Sequence, residues 1–210
     1  MKRTLVLCFA AALVCHAPGG RAQTRTEPAP QAQAAPVRHG GKIELSYDGF
    51  RHETLVALRP MSVTCGGAKG AAGITKGVCV NLAVTLHCPG QQLDYVRHAR
   101  LQVIFETKDW DQRHPPDQRE LTAVADGETF RLGRLQLVSQ AAGEGWLDNR
   151  MKEVLEVSVP YAAFEKLARA QFVELSVGRS AFGLRDKNVA ALRDLNSRVR
   201  VSAKTADGSQ

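Results

Sequence analysis

Beyond its first two dozen residues the sequence has no long apolar run, no dense block of basic residues and no internal repeat. A membrane-spanning helix needs roughly 20 consecutive apolar residues, so the remainder of the chain predicts none. Lysines and arginines are interspersed with acids, which argues against nucleic acid as a partner. Catalytic signatures are also missing. "HETLV", from His52, starts like the zinc-protease motif His-Glu-x-x-His and has no second histidine. "GRSAF", Gly178 to Phe182, lacks the second glycine of the nucleophile elbow Gly-x-Ser-x-Gly and lies between two strands. His52, His87, His98 and His114 show no ligand spacing and read as surface residues of strands. The sequence therefore points to no catalytic residue, no metal ligand and no cofactor.

What is present begins with the N-terminus. "MKRTLVLCFAAALVCHAPGGRAQ" has the basic start, apolar stretch (Leu5 to Val14) and small-residue site of a signal peptide. Gly20 and Ala22 place cleavage after Ala22, giving a signal peptide over 1–22 and a periplasmic or secreted product. The alternative is an outer-membrane lipoprotein anchored through Cys15, although the bulky Val14 precedes that cysteine. The formal charge is +7, of which Lys2, Arg3 and Arg21 contribute three, so the chain after Ala22 is mildly basic at about +4. Three cysteines remain after cleavage: Cys65, Cys79 and Cys88. In an oxidising compartment this odd count predicts one disulfide and one free thiol.

Residues 23–41 are rich in Pro, Ala and Gln without apolar periodicity and read as a disordered linker. Residues 204–210 read as a disordered tail. Between them, over 42–203, the dominant signal is a period of two. Val80, Leu82, Val84, Leu86 and Cys88 share one face of a strand, and Asn81, Ala83, Thr85 and His87 the other. Similar alternation recurs at Met61–Cys65, Leu101–Phe105, Leu155–Val159 and Val173–Val177. One apolar and one polar face per strand suits antiparallel sheets. Asp126-Gly127 supplies a tight hairpin turn, and the apolar parity slips at Gly133, the signature of a bulge. Two short helices are expected near the C-terminus, one opened by Pro160 with a stripe of Tyr161, Phe164, Leu167 and Ala168, one capped by Asp186 with Val189, Leu192, Leu195 and Val199. About eight strands with two helices predict a mainly β fold, an antiparallel two-layer β-sandwich, with a partly closed barrel as the alternative.

Three segments are candidate sites. "CGGAKGAAGITKGVC", Cys65 to Cys79, has glycines and two lysines, Lys69 and Lys76. Lys76 precedes Gly77 rather than following a glycine and preceding Ser or Thr, and a strand follows, so the phosphate-loop context is absent. The cysteine spacing does not match structural zinc. The segment reads as a hairpin loop stapled by Cys65–Cys79, with Cys88 as the alternative partner of Cys65. Apolar parity favours Cys88, and hairpin geometry favours Cys79. "KDWDQRHPPDQRE" holds Asp109, Asp111, His114, Asp117 and Glu120, but Lys108, Arg113 and Arg119 offset them and no calcium-loop glycine is present, so it reads as an exposed inter-strand loop. It contributes Trp110, and "AAGEGWLDNRMKE" contributes Trp146. Together with Lys69 and Lys76 these tryptophans form the candidate binding surface.

The C-terminal third, "VPYAAFEKLARAQFVELSVGRSAFGLRDKNVAALRDLNSRV", orders a strand, a helix, a β-hairpin and a closing helix. It resembles uncharacterised exported bacterial proteins with a β-rich domain and an amphipathic C-terminal helix. That resemblance implies export and no particular activity. The expectation is a non-enzymatic binding or envelope-accessory protein for an unknown protein or envelope ligand. The alternatives are a hydrolase with residues gathered from several loops and a lipid-anchored structural protein.

Overall fold

The structure is a computed structural model that describes residues 39–66, 71–72, 74, 77–107, 114–142 and 150–199. The predicted signal-peptide segment, nearly all of the linker, the tail, and Lys69, Lys76, Trp110 and Trp146 lie outside the described residues.

Among the described residues, eleven strands form two open antiparallel sheets. The chain runs β1 (Ile43–Asp48), β2 (Glu53–Cys65), β3 (Ala71–Ala72), β4 (Cys79–Pro89), β5 (His98–Thr107), β6 (Glu120–Ala125), β7 (Glu128–Arg134), β8 (Gln136–Ala142) and β9 (Met151–Pro160). Helix α1 (Tyr161–Arg169), the hairpin β10 (Val173–Val177) and β11 (Ser180–Leu184), and helix α2 (Asp186–Ser197) follow. The six-stranded sheet has the order β1-β2-β4-β5-β9-β8, and the five-stranded sheet β3-β11-β10-β6-β7. Neither closes on itself, so the fold is a sandwich and not the barrel alternative.

The alternation seen in the sequence builds the core. Val80, Leu82, Val84, Leu86 and Cys88 of β4 are buried beside Leu101, Val103 and Phe105 of β5 and Leu155, Val157 and Val159 of β9. The five-stranded sheet contributes Leu121, Ala123, Leu175, Val177 and Phe182. Helix α1 packs against β9 and β5, and α2 against β2 and β11. Burying a large aliphatic or aromatic side chain contributes about 1.5–3 kcal/mol relative to exposure, so these facing rows dominate stability.

The turn chemistry is as the sequence implies. Asp126 and Gly127 both take positive φ, 49° and 86°, the pairing a two-residue hairpin needs. Gly133, at φ 119°, pairs with Leu121 while Arg131 pairs with Thr122, so the ladder skips Leu132 and the bulge falls where the parity slips. Two helix starts differ from expectation. Pro160 still belongs to β9 and immediately precedes α1. Arg185, not Asp186, precedes α2, where the Arg185 amide donates to the Asn188 side chain at 3.1 Å. The Asn188 amide group also donates to the Ser62 carbonyl at 3.0 Å, and the Arg185 guanidinium to the Val63 carbonyl at 2.9 Å. These bonds dock α2 on β2. Ordered contacts reach back to His39, whose ring lies 2.8 Å from the Asp194 carboxylate of α2. Burial pushes that carboxyl up, but hydrogen bonds from Arg198 and His39 outweigh it and hold the group below its ordinary value of 3.8.

Candidate functional site

Two predicted surface histidines are buried, and each meets a glutamate. His114 follows the undescribed residues 108–113 and precedes a short 3-10 turn, Pro116–Gln118, on the crossover from β5 to β6. Glu153 lies near the start of β9, paired in register with Phe105 of β5 and sharing the inward face of Leu155 and Val157. Its Oε2 is 2.9 Å from His114 Nδ1 and accepts the His114 backbone amide at 3.2 Å. His114 Nε2 is 3.3 Å from Oγ of Ser180, the first residue of β11. The imidazole is stacked at a tilt on the Phe105 ring, with centroids 4.1 Å apart.

Arg119 completes the group. Its Nε donates to the His114 carbonyl at 2.9 Å, and its Nη2 lies 3.8 Å from Glu153 Oε1. Among the described residues, the buried Glu153 Oε1 has no hydrogen bond. A close backbone approach places Ser180 here. Gly178, in the β10–β11 turn, takes φ +56°, and a Cβ on it would stand 2.7 Å from the Gln118 carbonyl oxygen. Only glycine allows the hairpin turn to sit against the 3-10 turn that follows His114.

The second pair lies at the other end of the six-stranded sheet. His87 Nδ1 is 3.2 Å from Glu53 Oε1, and Arg51 Nη1 lies 3.9 Å from the same oxygen. His87 and His98 face each other across the β4–β5 ladder with rings stacked 4.4 Å apart. Among the described residues, the buried His87 Nε2 has no hydrogen-bond partner. Burial lowers the pKa of His87 from the ordinary 6.5, against the hydrogen bond to Glu53, which raises it. Burial and then the adjacent His87 lower that of His98.

The cysteines settle the open pairing. Cys65 and Cys79 form a disulfide directly across the β2–β4 ladder, with Cα atoms 4.0 Å apart. The parity that links Cys65 with Cys88 in the sequence is undone by a register shift. Ser62 pairs with Asn81 and Thr64 with Val80, so the ladder skips Val63 and Cys65 turns to the face of Cys79. Cys88 is free and buried, and burial pushes its thiol up to about 11. It is a core side chain and not a reactive group.

Of the acidic loop, Asp117 is exposed and Glu120 meets Arg131 at 3.5 Å. Asp109 and Asp111 lie outside the described residues. Among the described residues no cluster of three or more metal-ligating side chains occurs, and no helix is long and apolar enough to cross a membrane.

One apolar surface was not foreseen. Among the described residues strand β1 pairs only with β2, and Leu45 is 63% exposed, Tyr47 46% and the adjoining Phe50 fully exposed. By register Leu45 and Tyr47 stand opposite Val56 and Thr54, on the face that is covered elsewhere, while Ile43 of the same strand packs on the core. Elsewhere, exposed Phe172 borders a shallow groove with Val124, Gly127, Glu174 and Gly183 on the five-stranded sheet.

Comparison with family models, curated proteins and solved structures finds no match to this chain.

Proposed function

We propose that this chain is an exported envelope-accessory protein that binds an extended segment of a partner protein along β1. The observation that carries the reading is the edge of β1 away from β2, unpaired among the described residues, with Leu45, Tyr47 and Phe50 exposed beside it. An edge strand presents a row of free amides and carbonyls, and added strands use those for affinity and alternate side-chain contacts for specificity. The partner segment is one with apolar side chains at alternate positions. Export is supported by the N-terminal signal pattern and by the disulfide, which an oxidising compartment sustains.

Site-specific photocrosslinking in the producing cell tests the binding. A photoreactive residue at Leu45 should give one discrete adduct, and the same residue at exposed Glu174 of β10 should not. Matching patterns at the two positions would overturn the reading. Mass spectrometry of the purified protein tests export: a start at Gln23 supports a free exported protein, and a lipid on Cys15 supports the anchored alternative.

A further inference from the structure

At the end of the sandwich opposite the β1 turn, the arrangement of His114, Glu153 and Ser180 has a direction. A carboxylate only accepts hydrogen bonds. Glu153 therefore fixes the proton of the neutral imidazole on Nδ1, which leaves the Nε2 lone pair facing Ser180 Oγ at 3.3 Å. Ser180 is then the donor in that bond, and its oxygen is the atom polarised toward attack. The hydroxyl, the base and the acid that orients the base come from β11, the β5–β6 crossover and β9, three separate parts of the chain.

A purely mechanical role explains the cluster poorly. Glu153 shares its face of β9 with buried Met151, Leu155, Val157 and Val159. Burying a carboxylate is costly compared with well-packed apolar side chains of similar volume. Here one oxygen of the carboxylate also has no hydrogen bond among the described residues. Polar groups held at such cost are concentrated at functional sites. Ser180 is buried, with 9% of its surface exposed.

We propose that Ser180, His114 and Glu153 form a nucleophilic centre that transfers the acyl group of a small carboxylic ester to water. Ser180 Oγ bonds to the ester carbonyl carbon while its proton passes to His114 Nε2. The carbon–oxygen bond to the alcohol breaks, and the alcohol leaves with that proton. Water then attacks the acyl-serine, giving a proton to His114, which returns it to Ser180 Oγ as the carboxylic acid departs. Ser180 and His114 are the catalytic residues. Glu153 and Arg119 are positioning residues, acting through the imidazole. The proposal stands independently of partner binding at β1.

The full exported chain treated with a fluorophosphonate should gain one adduct, mapped to Ser180 by peptide mass spectrometry. It should also hydrolyse p-nitrophenyl acetate. Both should vanish in Ser180→Ala. His114→Gln should slow both by about 10²–10⁴-fold, the usual contribution of a general base. Glu153→Gln should displace the pH–rate profile, which loss of packing alone would not do. An unlabelled Ser180 in native wild-type protein overturns the proposal, whatever the variants do. Labelling that persists unchanged in a folded His114→Gln protein overturns it equally.

Discussion

The two buried histidine–glutamate pairs use the same residue types and part company at the second ring nitrogen. His114 passes its Nε2 to Ser180 and so joins β9 and the crossover to β11 of the other sheet. His87 stays within one sheet, with Glu53 on β2 and His98 on β5, and its Nε2 finds no partner among the described residues. The first pair spans the sandwich, so its loss should loosen both sheets. The second is a local stack whose two imidazoles resist protonation in the folded state.

Removing the imidazoles tests that difference most severely. His114→Ala leaves Glu153 buried beside Arg119 alone and should cost about 3–5 kcal/mol in urea unfolding, the range for breaking a buried pair. His87→Ala should cost less, because the stack it leaves lies within a single sheet. Equal losses would break the contrast. Next in size is the disulfide. Cys65→Ser with Cys79→Ser should lower stability by about 3 kcal/mol, the chain-entropy value for a loop of this length, with Cys88 still unreactive to thiol reagents in the folded state. Gly178→Ala should cost about 1–3 kcal/mol through its strained φ, with the added methyl meeting Gln118 besides. A neutral result there would mean that the turn supporting Ser180 shifts freely.

The smallest effect concerns pH. His87 and His98 have folded-state values below the unfolded 6.5. The unfolded chain therefore binds more protons below that value, and stability falls as the pH drops through it toward the folded values. The Glu53 carboxylate favours protonation of both rings, but burial outweighs it, and Arg51, Arg97 and Arg100 add positive charge that disfavours protonation of one or both. Unfolding midpoints measured from about pH 7.5 to about pH 5.5 should decline, and His98→Gln should flatten the decline. An unchanged slope in that variant would remove the stack from the account.

Much of the sandwich was legible because burial on one face enforces a period of two, and β4, β5, β9 and β10 keep it. The turn at Asp126-Gly127 and the bulge at Gly133 were legible because each requires backbone that few residues adopt. Strand β1 escaped notice at a sheet edge, where Leu45 and Tyr47 are exposed and no buried row marks the period. His114 gave no local signal, since Ser180 lies 66 residues away and meets it only through the crossing of two sheets. Asn188 and Arg185 likewise act on β2 more than 120 residues distant. Parity misplaced Cys65 because a single skipped residue, Val63, turns every later side chain over.

The ring closed by Cys65 and Cys79 contains β3, and β3 pairs not with its neighbours in the chain but with Ala181 and Phe182 of β11 in the other sheet. The edge of β11 beside Ser180 is thus shielded by a tethered strand whose local concentration is set by the size of the ring. Reducing the disulfide frees the Cys65 and Cys79 strand ends to separate, so β3 should be the first strand to detach, exposing a sheet edge. A single proteolytic cut between the two cysteines would leave one covalent molecule, separable only after reduction.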